Sequence, residues 1–333
     1  MILDCTVRDG GYANNFQFSL MEITKITKTL NDASIDLIEV GHGLGLGAGN
    51  AGHGYCFEDE YEQIKVAKSA SKKSLIGTFF VCGIGRIENI KKAKKFGADF
   101  IRIGFEIHQL NKLKKIINYC KKINIKICLN LMKTHTVGAN DLKKATQLLS
   151  KYHIEYFYIV DSSGSMTTFD LSKVIEIVKS NCKHKIGLHC HNNLGLANSN
   201  SLWFMKSGGD IIDGTLGSMG RSAGNAQTEI ISYLYNKELG KKYNIQKLID
   251  LSDKIISPLM IKKQGIEKID MLLGMSGIHS SLLKLFRKAI NVHNTSLEDL
   301  ILETAKINNR NPSLELINSV AKEISRFQNS KVR

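Results

Sequence analysis

Short apolar runs alternate with amphipathic stretches along the first two-thirds of this 333-residue chain. That alternation restricts the available folds more than any other feature. Residues 2–7, 35–40, 75–81, 100–103, 125–131, 154–160, 185–189 and 211–215 read as strands. Helical periodicity fills the intervals, as in residues 20–30 behind a capping Ser19 and in residues 59–69. Strands that alternate with helices must pair in parallel. Eight such units in about 235 residues match a (β/α)8 TIM barrel, with a doubly wound open sheet as the alternative. The barrel is preferred because polar and ionisable residues recur at strand C-termini: Arg8/Asp9, Glu39/His42, Arg102, Asp161, His189/His191 and Asp213. That rim is where this fold assembles active sites. From about residue 241 helical periodicity continues without strands, at 245–256, 280–289, 297–307 and 314–324. The expectation is an α/β chain with a barrel over 1–240 and a helical C-terminal domain over 241–333 that contributes to the active site.

Composition excludes several classes. No apolar run approaches the roughly 18 residues of a membrane span, and the N-terminal segment enters a strand carrying Asp4, Arg8 and Asp9 rather than a signal peptide. Seven cysteines without a CxxC pair fit a reducing cytoplasm better than a disulfide scaffold. The net charge of +15 comes largely from lysines dispersed along helices, with only 7% aromatic residues. Solvated helix faces explain this pattern better than a nucleic-acid surface, which concentrates charge and interleaves aromatics.

Three segments carry chemistry. In Leu188-His189-Cys190-His191-Asn192-Asn193 the two histidines are i and i+2 on a strand, hence on one face. They either converge on a divalent metal or are two ordinary histidines. Asp4-Cys5-Thr6-Val7-Arg8-Asp9-Gly10-Gly11-Tyr12 brings a carboxylate and a cation to the end of strand 1. In isolation that is a surface pair; at a barrel mouth Asp9 can join the two histidines. The Gly-rich loop from Asp213 to Ala226 either cradles an anion with backbone N–H groups or is simply flexible, and it lacks P-loop spacing. Residues 41–54 contain scattered glycines but no dinucleotide fingerprint. His42, at a strand end, is read as lining the pocket; His53, His108, His135, His153, His184 and His293 lack paired spacing and read as structural or exposed.

Taken together, Asp-x-Thr-x-Arg-Asp-Gly, His-x-His-Asn-x-x-Gly-x-Ala and the loop ending Gly-Asn resemble the DRE-TIM metallolyase superfamily, and within it the 4-hydroxy-2-oxovalerate aldolases. The finer likeness lies in Ile38 to Leu46, Asp161 to Met166 and Gly274 to Ser281, so it spans the whole chain. The resemblance implies a divalent metal, usually Mn²⁺ with Mg²⁺ or Co²⁺ as substitutes, held by Asp9, His189 and His191. Asn225 matches a residue that completes the metal shell in the lyase branch. Arg8 would stabilise a pyruvate enolate on the metal, Glu39 would orient Arg8, and Ser162 would lie near the substrate. Two positions depart together: the aldolases have His where this chain has Tyr12, and Tyr where it has His279. A reciprocal exchange keeps a His–Tyr pair over the substrate hydroxyl, because proton transfer depends on reach rather than on which segment supplies the group.

The expected activity is therefore cleavage or formation of 4-hydroxy-2-oxo acids to or from pyruvate and an aldehyde. Rivals are a Claisen-type acyl-CoA synthase or lyase of the same superfamily and a non-catalytic barrel subunit. By the same resemblance, an acylating aldehyde dehydrogenase docked on the helical domain is a candidate partner, and a homo-oligomer is expected.

Overall fold

The computed structural model describes residues 1–331. Eight parallel strands close into a barrel in sequence order: β1 (Ile2–Asp4), β2 (Leu37–Val40), β3 (Leu75–Val81), β4 (Phe100–Phe105), β5 (Lys126–Leu131), β6 (Tyr156–Asp161), β7 (Lys185–Cys190) and β8 (Ile211–Gly214). Closure is made by β1, which pairs with β2 on one side and with β8 on the other, Leu3 facing both Leu37 and Asp213. Eight helices wrap the barrel: α1 (Leu20–Asp32), α2 (Glu60–Ala70), α3 (Ile87–Lys95), α4 (Leu110–Lys122), α5 (Ala139–Leu149), α6 (Thr168–Asn181), α7 (Ala197–Lys206) and α8 (Thr228–Leu239). Local signals set several starts. Ser19 and Glu22 form a reciprocal capping box on α1, and the Asp59 carboxylate accepts from the N–H groups of Tyr61 and Glu62 at the start of α2.

Strand 1 is shorter than its apolar run. It ends at Asp4, whose carboxylate accepts from Thr6 N at 3.0 Å and from Thr228 Oγ1 at 2.6 Å. The N–H groups of Asp9 and Gly10 then fold back onto Cys5 O. Arg8 and Asp9 consequently stand in a tight turn above the barrel mouth rather than on the strand itself. The lower barrel interior is apolar, filled by Leu3, Leu37, Phe100, Cys128, Tyr158 and Ile211. A larger shell of apolar side chains lies between strands and helices.

After α8 come α9 (Ile245–Leu251), a wider turn at Ser252–Ile256, α10 (Ser257–Leu259), α11 (Lys268–Ser276), α12 (Leu283–His293), α13 (Leu297–Ile307) and α14 (Leu314–Lys331). Leu248, Leu251 and Ile256 belong to the barrel's own apolar shell. A separate core forms around Leu273, Ile278, Phe286, Leu300, Ile301 and Ile317. The change of core thus falls beyond residue 256, later than the loss of strand periodicity near 241. Among the described residues no helix is long and apolar enough to cross a membrane. All seven cysteines are free thiols, and all but Cys56 are buried.

Candidate active site

A cavity of about 90 Å³ opens at the C-terminal mouth of the barrel, lined among others by Arg8, Asp9, Tyr12, Ser162, His189, His191, Arg221 and His279. Its floor is a chain of buried charges. Arg8 donates from Nε to Glu39 Oε2 at 2.7 Å and from Nη1 to Asp9 Oδ1 at 2.7 Å. The other Glu39 oxygen lies 3.4 Å from Arg102 Nε, and Arg102 Nη1 donates to Asp213 Oδ2 at 2.6 Å. His189 Nδ1 meets the same Asp213 oxygen at 2.8 Å. Charges this deep are tolerable only when paired, and here each one is. Burial alone would raise the carboxyls of Asp9 and Asp213. For Asp9 the Arg8 guanidinium, with His191 and His189, overcomes burial; for Asp213 Arg102 does so with His189. Both stay below the usual carboxylate range.

The pairing also fixes a histidine. With Asp213 accepting at Nδ1, His189 carries its proton there and leaves the Nε2 lone pair pointing to Asp9 Oδ2, 3.9 Å away. One ligand atom each from Asp9, His189 and His191 lies within 4.8 Å of the others. Burial holds His191 down to about 4, so it is a neutral imidazole near neutral pH. Its Nδ1 is buried with no hydrogen-bond partner, a cost that a bound cation would relieve. Two imidazoles on one face, an ionised carboxylate and an unpaired acceptor therefore suit a divalent metal. A second cluster, Cys5 with His189 and Asp213, fits less well, because burial pushes the Cys5 thiol well up and the other two already bond each other. Asn225 itself presents nitrogen to the ligand set: its Nδ2 donates to Asp9 Oδ2 at 2.7 Å and to Met219 O at 2.9 Å, so it orients Asp9. It reaches that place through Gly224, at φ +84°, where a Cβ would come within 1.8 Å of Ser218 O.

Around this floor stands a half-buried rim. Tyr12 and His279, 267 positions apart in sequence, line the same cavity. His279 engages Ser281 through Nδ1, from the backbone N–H at 3.3 Å and with Oγ at 2.7 Å, which leaves Nε2 as its free nitrogen. Its segment is tied to the barrel where His135 Nε2 meets Gly277 O at 3.0 Å. Burial, with Arg221 next, holds His279 well below the ordinary histidine range, and burial raises the Tyr12 phenol. Ser162 lines the cavity with an Oγ that accepts from Lys133 N at 2.9 Å.

His42 takes a different place from the one its strand-end position suggests. Its Nδ1 accepts from Leu44 N at 3.0 Å, which turns the ring back to stack on Phe16 at 4.0 Å, behind Tyr12. It therefore lines a neighbouring cleft with Glu60 and Asn89. Sequence patterning singled out Arg102 and Asp213 only as strand-end residues, and it did not single out Arg221. The guanidinium of Arg221 lies 3.6 Å over the Tyr12 ring and donates to the Tyr12 hydroxyl.

A closed (β/α)8 barrel with this mouth defines an enzyme, and comparison with known proteins places it among the lyases. The HMGL-like family model matches residues 1–255, and the chain belongs to that family. It is 32% identical over 327 residues to a 4-hydroxy-2-oxovalerate aldolase from Carboxydothermus hydrogenoformans, covering 98% of this chain and 97% of that one. It is 28% identical over 329 residues to the protein of the same name from Bacillus thuringiensis, covering 98% and 96%. Among solved structures, the N-terminal domain of a putative aldolase from Bacteroides vulgatus aligns with TM-score 0.76 and 24% identity over 85% of this chain and 95% of that one. The carboxyl transferase domain of Rhizobium etli pyruvate carboxylase aligns with TM-score 0.78 and 12% identity, covering 98% of this chain and 60% of that one, a likeness of fold.

Proposed function

We propose that this protein is a divalent-metal-dependent aldolase that cleaves or forms 4-hydroxy-2-oxo acids, with pyruvate and an aldehyde as the other side of the reaction. The observation that carries the reading is the convergence of Asp9, His189 and His191 beside Arg8, with His189 locked in the ligating tautomer by Asp213. A divalent ion held there, Mn²⁺ first and Mg²⁺ or Co²⁺ as substitutes, supplies a Lewis acid next to the 2-oxo group. Arg8 has Nε and Nη1 committed to Glu39 and Asp9, which fixes the guanidinium plane and leaves Nη2 for the oxygen that becomes negative in the enolate. Glu39 is thus a positioning residue. Ser162, its oxygen already accepting from Lys133 N, donates its hydroxyl proton to the substrate carboxylate.

In the cleavage direction His279 Nε2 removes the 4-hydroxyl proton, assisted by Tyr12. The C3–C4 bond breaks, its electron pair passes into the enolate of pyruvate, and the aldehyde leaves. A proton then returns to C3 to give pyruvate. Addition of pyruvate to an aldehyde is the reverse. His279 is held well below the ordinary histidine range by burial, so its ring is unprotonated near neutral pH and available to accept that proton. The free thiols accord with a cytoplasmic setting. The helical region after residue 268, with Met275, Val292 and Ile307 exposed, is the face on which an acylating aldehyde dehydrogenase or a second copy would dock.

The test is a panel of aldehydes with pyruvate and Mn²⁺, following pyruvate consumption. Consumption that is abolished by chelation and restored by Mn²⁺ supports the reading. Turnover with acetyl-CoA and a 2-oxo acid in place of pyruvate and aldehyde would overturn it.

A further inference from the structure

The three guanidinium groups that line the cavity are not equivalent. Arg8 is bonded to Glu39 and Asp9, and Arg102 to Asp213 and Glu39, all deeply buried. Arg221 is half-buried and has no carboxylate in ion-pair reach among the described residues. What it touches is Tyr12, ring and hydroxyl. Stacking on an aromatic face satisfies the flat surface of a guanidinium but leaves most of its N–H fork unused. The imidazoles nearby, His279 and His42, carry no negative charge in either protonation state, and Arg221 itself helps to hold both below the ordinary histidine range, after burial. Asp9 is already committed to Arg8 and Asn225.

The loop that carries Arg221 is fixed in place. Gly224 N donates to Arg221 O at 2.8 Å, Asn193 Nδ2 donates to Ser222 Oγ at 2.8 Å, and Ser222 Oγ donates to Asp270. A lone cation held without a counter-charge at the edge of a substrate cavity is arranged for an anion that arrives with the substrate.

Location selects which part of the substrate this is. The 2-oxo acid half is handled on the floor, by Arg8 and Ser162. The carbon that bears the 4-hydroxyl must face Tyr12 and His279, and its substituent extends past them along the half-buried rim. We infer that the aldehyde half of the substrate carries an anionic group, a carboxylate or a phosphate, and that Arg221 is the residue that selects it. This rests on the aldolase reading and deepens it to an acidic aldehyde.

The experiment compares kcat/KM, with pyruvate and Mn²⁺, for two matched pairs: butanal against succinic semialdehyde, and glycolaldehyde against its phosphate. The wild-type enzyme should favour the anionic member of at least one pair by about tenfold or more, the worth of one charge-assisted hydrogen bond. The pair that shows the preference distinguishes carboxylate from phosphate. Arg221→Gln should bring that ratio to near one, and Arg221→Lys should restore part of it. An equal preference in the wild type, or an equal fall of both members in R221Q, overturns the inference; the latter outcome would assign Arg221 to pyruvate or to Tyr12. Exchange of the pyruvate methyl protons in D₂O, which needs no aldehyde, separates the two levels. Exchange without anionic preference sinks the role of Arg221 alone, and no exchange in the wild type sinks the aldolase reading beneath it.

Discussion

The floor of the cavity and its rim are built on opposite plans. On the floor, His189, Asp213, Arg102, Glu39, Arg8 and Asp9 form one connected chain, nearly inaccessible to solvent, in which each charge is fixed by its neighbour. At the rim, Tyr12, Arg221 and His279 are half-exposed. They come from the turn after β1, the loop after β8 and the turn after α11, and rest on one another or on a few turn contacts. Groups whose geometry must not vary sit where removing one partner strands another. Groups that meet the variable half of a substrate sit where a substitution disturbs little else. The contrast teaches that the apparatus for the 2-oxo acid half is rigidly interlocked, whereas the proposed acid–base pair and the group that meets the aldehyde half share a more adaptable rim.

The largest expected effect probes the rim. His279→Ala should slow pyruvate release by about 10²–10⁴-fold, the usual worth of a positioned proton-transfer group, and Tyr12→Phe by less. If both variants release pyruvate at the wild-type rate, the exchanged His–Tyr pair is not the acid–base pair. On the floor, Arg8→Lys keeps the charge but loses the fork, and kcat should fall about 10²–10³-fold while the metal content of the purified protein is unchanged. Loss of metal as well would show that Asp9 does not keep its place without the Arg8 fork. Asp213→Asn should weaken Mn²⁺ binding about 10–100-fold, because the amide can present its NH2 to His189 Nδ1 and favour the tautomer that protonates Nε2; a competition titration against a chelator reads this directly.

A smaller effect concerns how the rim is held. His135→Ala removes the contact to Gly277 O and should cost about 1–3 kcal/mol, visible as faster proteolysis of the segment that carries His279. The smallest is a pH effect. Burial depresses His42 to about 4 from an ordinary value near 6.5, so the unfolded chain binds the proton more readily between those values. Its stabilising contribution is complete above pH 6.5 and is lost as the pH falls toward 4. His42→Asn should flatten the fall of the thermal midpoint across that window, measured with metal-free protein.

Much of the floor was legible in the sequence, because strand geometry is periodic. His189 and His191, two apart, do share a face, and His191 continues the line of β7 by bridging to Asn225. The pairing of Glu39 with Arg8 was legible through the family resemblance and not through periodicity. The Arg102–Asp213 ion pair was not, since it spans 111 positions and exists only once the barrel closes. Arg221 escaped notice for a different reason: a single arginine in a Gly-rich loop has no periodicity, and its meaning comes from the counter-charge it lacks. His42 was misplaced because its orientation is set by a bond to a backbone N–H two residues on, a detail of turn geometry. The end of the barrel region was set too early, at 240, because α9 is helical like the domain that follows yet packs on the barrel.

Closure by β1 has a consequence for how the enzyme comes into being. Its partner β8 lies some two hundred positions away, and Asp9 meets Asn225 from the far side of that seam. A chain leaving the ribosome therefore exposes the first strand long before anything can cover its second edge. Asp9 comes to His189 and His191 only when the seam is sewn, so a chain that stops short of β8 would leave that candidate metal site unassembled.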